Sequence, residues 1–324
     1  ISPSHPTPTS SVHTTPRRDE NVPPAAKPTM NTLNQMPFRA VALSIHWSRR
    51  TLLLAALAAC CCWPAKAADE LPHVRILFLG NSYTAFNLLP GMVGELMLSS
   101  QMLAPHIGSN LQGNYTLERH TTNAEGMDLL KKGADDGKPW DVVVVQEHSV
   151  VSAAAAVDAD ARMLMENGLA KLVKSAHELN PKVLVVVFQV WARHEKLWKE
   201  KSADALATGK DPEQALARIH VANANAVKAA QEKIPGAQII VSPVGDFWWR
   251  VHDLYPALSL YAEDGTHPDL LGTLLSAYVI LGSIGGREVL EQSSWLPPDC
   301  PAVQAARAKK MVLDHPEVFK AAGK

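Results

Sequence analysis

Three residues in this chain have the types and the order needed for acyl-transfer chemistry by an activated hydroxyl. Ser82 lies in the segment Gly-Asn-Ser-Tyr-Thr that begins at Gly80, and Asp264 and His267 lie in a later Asp-Gly-Thr-His-Pro segment. A serine, an aspartate and a histidine in this chain order can form a triad, in which the histidine deprotonates the hydroxyl and the carboxylate orients the histidine. We therefore interpret Ser82 as a candidate nucleophile, His267 as its base and Asp264 as the residue that orients the base.

An apolar run before Ser82 predicts the element that positions it. Residues 74–79 are almost entirely apolar and are followed by Gly80, a pattern typical of a buried parallel strand that ends in a tight turn. The hydroxyl would then lie at the carboxyl edge of a sheet, where open α/β folds bind their ligands. Either segment alone is also typical of an ordinary turn, since glycine and asparagine tolerate unusual backbone angles. The two segments together, in this order, are the stronger signal.

Apolar runs alternate with helical patterns along the rest of the chain. Strands are predicted at residues 74–79, 115–120, 140–146, 182–188 and 237–241, and helices at 88–102, 126–132, 156–179, 212–234 and 268–283. Strands separated by helices imply a parallel sheet covered on both faces. The sequence therefore predicts an α/β fold, a three-layer α/β/α sandwich with a flavodoxin-like parallel sheet of about five strands. The charged connection 191–212 is long enough to be a binding loop or lid.

Composition divides the chain into an N-terminal region and one globular domain. Residues 1–35 are rich in Pro, Ser and Thr, and we expect them to be disordered or to lie upstream of the natural start. Residues 36–67 have the basic, apolar and small-residue parts of an export signal, and residues 68–324 form a single predicted domain. The formal net charge of −1 gives no indication of nucleic-acid binding.

The export signal leaves two interpretations open. Cleavage after Ala67 would release a periplasmic or secreted protein, whereas the lipobox-like segment that ends at Cys60 would make a lipid-anchored one; a twin-arginine pattern surrounds Arg49. The apolar run is too short to span a bilayer, so no transmembrane helix is expected. After cleavage at Ala67 the mature chain would keep only Cys300 and could form no internal disulfide. No Cys/His spacing indicates a metal site, and we expect no cofactor.

The two motifs resemble those of the SGNH, or GDSL-like, hydrolase superfamily, and more narrowly its Gly-Asn-Ser-Tyr-Thr branch, which is largely of unknown function. The resemblance covers roughly residues 73–284, and it implies a Ser82–Asp264–His267 triad. It also implies an oxyanion hole, for which the matching candidates are the N–H groups of Ser82 and Gly126 and the carboxamide of Gln146. Gln146 has an equally good interpretation as a residue that caps the end of the third predicted strand.

Three more residues are candidate substrate contacts, and each has a structural alternative. Asn81 is more plausibly a residue that ties the turn, Glu147 competes with its neighbour His148 for the side that faces the cleft, and Trp191 is either a platform for a sugar or packing at the rim of the sheet.

The leading functional hypothesis is an exported serine esterase that acts on a small-molecule or carbohydrate ester, and deacetylation of carbohydrate is one reaction it could carry out. The first alternative is a lipase or thioesterase for longer acyl chains, which would need an apolar trough beside Ser82. The second is a non-catalytic ligand-binding module on the same scaffold, because a fold does not guarantee chemistry.

Overall fold

A computed structural model of the chain describes residues 71–320. The predictions for residues 1–35 and 36–67, including the lipid anchor at Cys60, lie outside the described residues. They remain expectations of the sequence.

Five parallel strands form one sheet in the order β2-β1-β3-β4-β5. The strands are β1 (His73–Gly80), β2 (Ala104–Leu111), β3 (Val142–Val145), β4 (Leu184–Phe188) and β5 (Gln238–Ser242). This is the flavodoxin-like order, in which the chain crosses from β1 to one side for β2 and to the other side for β3. The predicted fold class is confirmed.

Helices cover both faces of the sheet. In chain order they are α1 (Ser82–Ala85), α2 (Leu89–Ser99), α3 (Leu117–His120), α4 (Ala124–Lys132), α5 (Ser149–Ala154), α6 (Ala159–Leu179), α7 (Lys196–Lys199), α8 (Ala203–Thr208), α9 (Pro212–Lys233), α10 (Val244–Leu254), α11 (Leu270–Gln292) and α12 (Ala302–Leu313). Short 3-10 helices occupy Phe86–Leu88 and Pro316–Lys320.

Alternate residues of the strands feed two separate hydrophobic cores. Ile76 and Phe78 of β1 pack on one face with α2, α10, α11 and α12, while Leu77 and Leu79 pack on the other with α3, α4 and α6. Successive side chains of a strand point to opposite faces, and here both faces are covered, so the central strands are apolar at nearly every position. Val142–Val145 is buried throughout for this reason.

The second strand was predicted in the wrong place. Residues 115–120, predicted as a strand, contain the helical turn α3, and β2 lies earlier, at Ala104–Leu111. Pro105 and Gly108 weaken the strand pattern in the sequence of β2, and its burial is only partial. Proline is tolerated here because β2 is an edge strand, where one side of the backbone needs no partner in the sheet.

One helix of the described residues, α11, is long and apolar enough to match a membrane span by composition, with a mean hydropathy of 1.4. Of its most apolar 18-residue stretch, 72% is buried within the protein, because the helix packs against the sheet and the neighbouring helices. The length and hydropathy of α11 therefore reflect a core helix.

The start of α11 is pressed against the segment that leads to Asp264. A Cβ at Gly272 would lie 2.2 Å from the carbonyl oxygen of Leu260 and 2.8 Å from the indole of Trp248. Leu260 is held by the N–H of Asp269, and Tyr261 bridges to Pro268, so the Asp264–His267 loop closes between these points.

This close approach predicts that Gly272→Ala lowers the free energy of unfolding by about 1–3 kcal/mol, because an extra methyl must displace backbone. The matched control is Gly91→Ala in α2, where the nearest atom to the added Cβ lies at 3.9 Å. That change should be neutral or stabilise by up to about 1 kcal/mol, since alanine favours helix. Urea denaturation of both variants checks the difference, and equal stabilities would contradict the packing argument.

Candidate active site

Ser82 begins α1, directly after β1 ends at Gly80. The side chain of Asn81 caps this helix: its oxygen accepts the N–H of Tyr83 at 3.1 Å, and its nitrogen donates to the carbonyl of Tyr115 at 3.0 Å. Asn81 is 3% exposed, so its carboxamide serves the turn, and the structure does not place it as a substrate contact. Ser82 is the first helical residue, and its N–H therefore has no acceptor within the helix.

Ser82, His267 and Asp264 come together at the carboxyl edge of the sheet. His267 Nε2 lies 2.8 Å from Ser82 Oγ, and His267 Nδ1 lies 2.5 Å from Asp264 Oδ2. An ionised carboxylate only accepts hydrogen bonds, so Nδ1 carries the ring proton and donates it to Asp264. Nε2 is then free to accept the hydroxyl proton of Ser82, the geometry required of a nucleophile and its base.

The side chain of Asp264 closes the loop that runs from Asp264 to His267. Asp264 Oδ1 accepts the backbone N–H groups of Thr266 at 2.8 Å and His267 at 2.9 Å. Burial acts to raise the pKa of Asp264, but the hydrogen bonds from His267 and from these two N–H groups outweigh it and hold the pKa below its ordinary value. Gly265 adopts a φ of +69°, a left-handed conformation that glycine accepts without strain.

Aromatic rings fix the plane of the imidazole. Phe86 stacks on His267 with ring centroids 4.1 Å apart, and Tyr83 meets it edge-on at 5.6 Å. Trp191 stacks on Tyr83 from behind, and its Nε1 donates to the carbonyl of Thr266 at 3.1 Å. The residue next to the base is therefore anchored to the aromatic core.

The two oxyanion-hole candidates other than Ser82 are not supported by the structure. The N–H of Gly126 donates to the side chain of Asn123 at 2.7 Å, because Asn123 caps α4. The oxygen of Gln146 accepts from Asn81 N–H and from the Thr84 hydroxyl, both at 3.0 Å, and its nitrogen donates to the carbonyl of Glu147. Gln146 therefore caps the strand ends, the alternative interpretation of this residue.

Glu147 and Trp191 are also misassigned as substrate contacts. Glu147 is 2% exposed and accepts the N–H groups of His148 at 2.6 Å and Leu117 at 3.3 Å. Trp191 is 1% exposed and lies between Tyr83 and Trp248, with centroid distances of 4.6 and 3.8 Å. Neither side chain has a free face for a sugar, so both are structural supports.

A cavity of about 140 Å³ opens beside Ser82 and His267, and its lining includes polar residues to which the sequence pattern assigned no role. These include Asn114, Arg193 and Asp204, whereas His148, identified from the sequence as the competitor of Glu147, lines the cavity in its place. Asn114 and Arg193 follow β2 and β4 closely, so the usable signal was their position just after a strand, whereas Asp204 lies on α8 and carries no such signal. Asn114 was missed because β2 was misplaced; it follows β2 closely and has a φ of +59°.

A larger cavity of about 250 Å³ lies on the other side of Arg193. Its walls include Trp249, His252 and Glu213, and Arg193 is the one residue that also lines the cavity of Ser82. No member of the triad lines this larger space, so the smaller cavity is the candidate active site.

The described residues offer one His/Asp cluster at which a metal ion could be held, and it lies apart from Ser82. His106, Asp135 and Asp136 come together beside β2. Arg75 donates to Asp136 through its guanidinium, which holds the pKa of that carboxyl well below its ordinary value. An ion pair already engages Asp136, so this cluster has a structural explanation.

Comparison with solved structures shows a shared fold. A DUF4886 family protein from Bacteroides uniformis matches with a TM-score of 0.54 and 19% identity, over 75% of this chain and 94% of that one. A protein from Slackia heliotrinireducens proposed to be an SGNH hydrolase matches with a TM-score of 0.46 and 24% identity, over 64% of this chain and 97% of that one. A carbohydrate esterase family 3 protein from Talaromyces cellulolyticus matches with a TM-score of 0.45 and 14% identity, over 67% and 97%.

No family model and no curated protein matches the chain. The similarity to the DUF4886 family protein shows that the two chains share a fold.

The buried carboxyl of Glu147 generates a prediction about stability and pH. Burial raises its pKa to about 8, although the N–H groups of His148 and Leu117 act in the opposite direction. Between its unfolded pKa and about 8 the folded protein therefore holds a proton that the unfolded chain has released, so stability must fall as pH rises through this window. The contribution is complete below the unfolded pKa and is lost above the folded one.

Glu147→Gln should remove this pH dependence, because the amide keeps a hydrogen-bond acceptor and cannot ionise. Between pH 5 and 8 we expect the Tm of the native chain to fall by about 3 °C or more relative to the variant, equivalent to roughly 1 kcal/mol. Glu118→Gln, at a partly exposed neighbour, is the control. If the Tm of the native chain and that of Glu147→Gln change in parallel with pH, Glu147 is ionised throughout and the prediction is wrong.

Proposed function

We propose that the chain is a serine esterase that hydrolyses esters of short acyl groups, with a polar alcohol such as a carbohydrate as the leaving group. The observation that carries this proposal is the relay from Ser82 Oγ through His267 to Asp264, at 2.8 and 2.5 Å. Its two bonds have the lengths and the order required for general-base activation of a hydroxyl. The export signal predicted at residues 36–67 makes a periplasmic or secreted location part of the same proposal.

In the proposed reaction, Ser82 Oγ attacks the ester carbonyl while His267 Nε2 takes the hydroxyl proton. Asp264 stabilises the resulting imidazolium, which then protonates the departing alcohol. Water, deprotonated by the same nitrogen, attacks the acyl-enzyme and releases the acid, and the proton returns to Ser82 Oγ. Two donors are available for the oxyanion: the N–H of Ser82 at the start of α1, and the carboxamide of Asn114 on the cavity wall.

The dimensions and lining of the cavity favour short acyl groups over long ones. A volume of about 140 Å³ is small, and His148, Arg193 and Asp204 line the same cavity as Ser82. A lipase or thioesterase needs a continuous apolar trough for its chain, and burial of a methylene against such groups would contribute little. The alternative of longer acyl substrates is therefore disfavoured by these side chains.

The competing proposal is a binding module without catalysis. The reactivity of Ser82 toward fluorophosphonates distinguishes it from an esterase. A binding protein needs no proton relay to a serine, whereas an activated serine is phosphonylated by fluorophosphonates. We expect a fluorophosphonate probe to label the folded protein at Ser82 and nowhere else in residues 71–320. Failure of the folded chain to react would favour the binding module.

Ser82→Ala should lower kcat/KM for 4-nitrophenyl acetate by at least about a thousandfold, because the nucleophile is lost while the rest of the site remains. Its Tm should change little, since a partly exposed hydroxyl adds little to packing. Ser109→Ala, at an exposed serine of β2, is the control for both measurements. Activity of Ser82→Ala within tenfold of the native chain would remove Ser82 from the mechanism.

Asn114→Gly should lower kcat by about 10²- to 10³-fold with a small change in KM, the effect expected when one oxyanion donor is removed. Glycine is chosen because position 114 has a φ of +59°, which alanine would resist. Gln101→Gly, at a residue with a φ of +57° outside the cavity, is the matched control. Retention of more than a third of kcat would exclude Asn114 as an oxyanion donor.

A further inference from the structure

Arg193 is a nearly buried cation in the wall of the candidate active-site cavity. Its side chain is 9% exposed, yet it lines the same cavity as Ser82 and His267. Its guanidinium donates to the hydroxyls of Thr266 at 3.3 Å and Ser149 at 3.1 Å, which are neutral partners. A buried charge is costly unless an opposite charge compensates it, so the partner of this cation defines what the cavity can accept.

A single carboxylate compensates Arg193 within residues 71–320. Asp204 Oδ2 lies 3.3 Å from the guanidinium, and no other acidic side chain there is within ion-pair distance of it. The nearby Asp264 is engaged by His267. Burial raises the pKa of Glu147 to about 8, so that carboxyl is neutral at neutral pH and supplies no counter-charge.

Asp204 is weakly held. Its side chain is 61% exposed, its sole ion-pair partner among the described residues is Arg193, and it lies on the short helix α8 of the connection between β4 and α9. Solvent screens the exposed carboxylate half of this pair, so another carboxylate can take its place and still compensate the nearly buried guanidinium. When Asp204 is displaced, the guanidinium of Arg193 can offer its positive charge and the released N–H to a ligand in the cavity.

We propose that Arg193 determines specificity by binding a carboxylate of the substrate, which takes the position that the side chain of Asp204 occupies in the free protein. The inference rests on the proposed esterase function and names its substrate class: acyl esters of carboxylate-bearing alcohols, such as acylated sugar acids. Arg193 binds and orients such a substrate, while bond cleavage remains with Ser82 and His267. A guanidinium is suited to this role because it stays charged when buried and matches carboxylate geometry.

The test uses pairs of esters that differ only in charge. The 2-, 3- and 4-acetoxybenzoates and their primary amides carry the same acetyl ester, and the three isomers place the carboxylate at different distances from the scissile bond. For at least one isomer we expect kcat/KM to be about tenfold or more higher for the acid than for the amide, as one charge-assisted hydrogen bond would give. A preference for the amide in every pair would overturn the proposal.

Substitutions at Arg193 and Asp204 test whether the preference for the acid over the amide comes from this ion pair. Arg193→Met should lower the acid-to-amide ratio to about one or below, and Arg193→Lys should retain part of it. Asp204→Asn should lower KM for the acid several-fold more than for the amide, because the internal competitor is removed. Arg250→Met, which breaks an exposed pair with Glu317, should leave the ratio unchanged.

The outcomes separate failure of the specificity role of Arg193 from failure of the esterase function itself. If the Arg193 variants fail to fold, the effect of Asp204→Asn on the ratio is decisive, and an unchanged ratio overturns the inference. If Arg193→Met folds and keeps the native ratio, Arg193 is a structural residue and the inference is wrong. Hydrolysis of the amides without any preference for the acids would leave the esterase intact, whereas absence of both turnover and fluorophosphonate labelling would remove the esterase itself.

Discussion

The hydrogen bond between Ser82 and His267 joins two segments that lie 185 residues apart in the chain, and the arrangement of the site depends on it. A bond of this kind forms only if both side chains are held before they meet, because fixing free rotamers would cost more than one hydrogen bond returns. Ser82 is held by the turn at the end of β1, which Asn81 caps. His267 is held by Asp264 on one ring nitrogen and by Phe86 on its face.

The sheet explains why this cavity forms at one edge. Because β1 lies between β2 and β3, the chain leaves β1 toward one side of the sheet for β2 and toward the other side for β3, and a crevice opens at their carboxyl ends. Ser82, Asn114 and His148 enter the crevice from these three ends, and Arg193 follows β4. The sheet determines where side chains can come together, and the short segments after each strand determine which side chains reach the cavity.

The sequence predicts β1, β3 and β4, and also the edge strand β5, but it misplaces the other edge strand, β2. Runs such as Val142–Val145 are unmistakable because both faces are covered, whereas β2, with Pro105 and Gly108, has no run to recognise. Ser82, Asp264 and His267 could be found because each lies in a short motif whose local geometry is self-contained. Gln146 and Glu147 could not be placed, because the direction of a side chain just beyond a strand depends on neighbours far away in sequence.

The connection that follows β4 both supports the loop of His267 and lines the candidate active-site cavity. Trp191 donates to the carbonyl of Thr266, and Arg193 donates to its hydroxyl, so the residue beside His267 is held by two side chains that follow β4. One of these donors, Arg193, is also the cation of the cavity wall. In the proposed mechanism, a substrate carboxylate bound to this guanidinium would also act on Thr266, the residue beside His267.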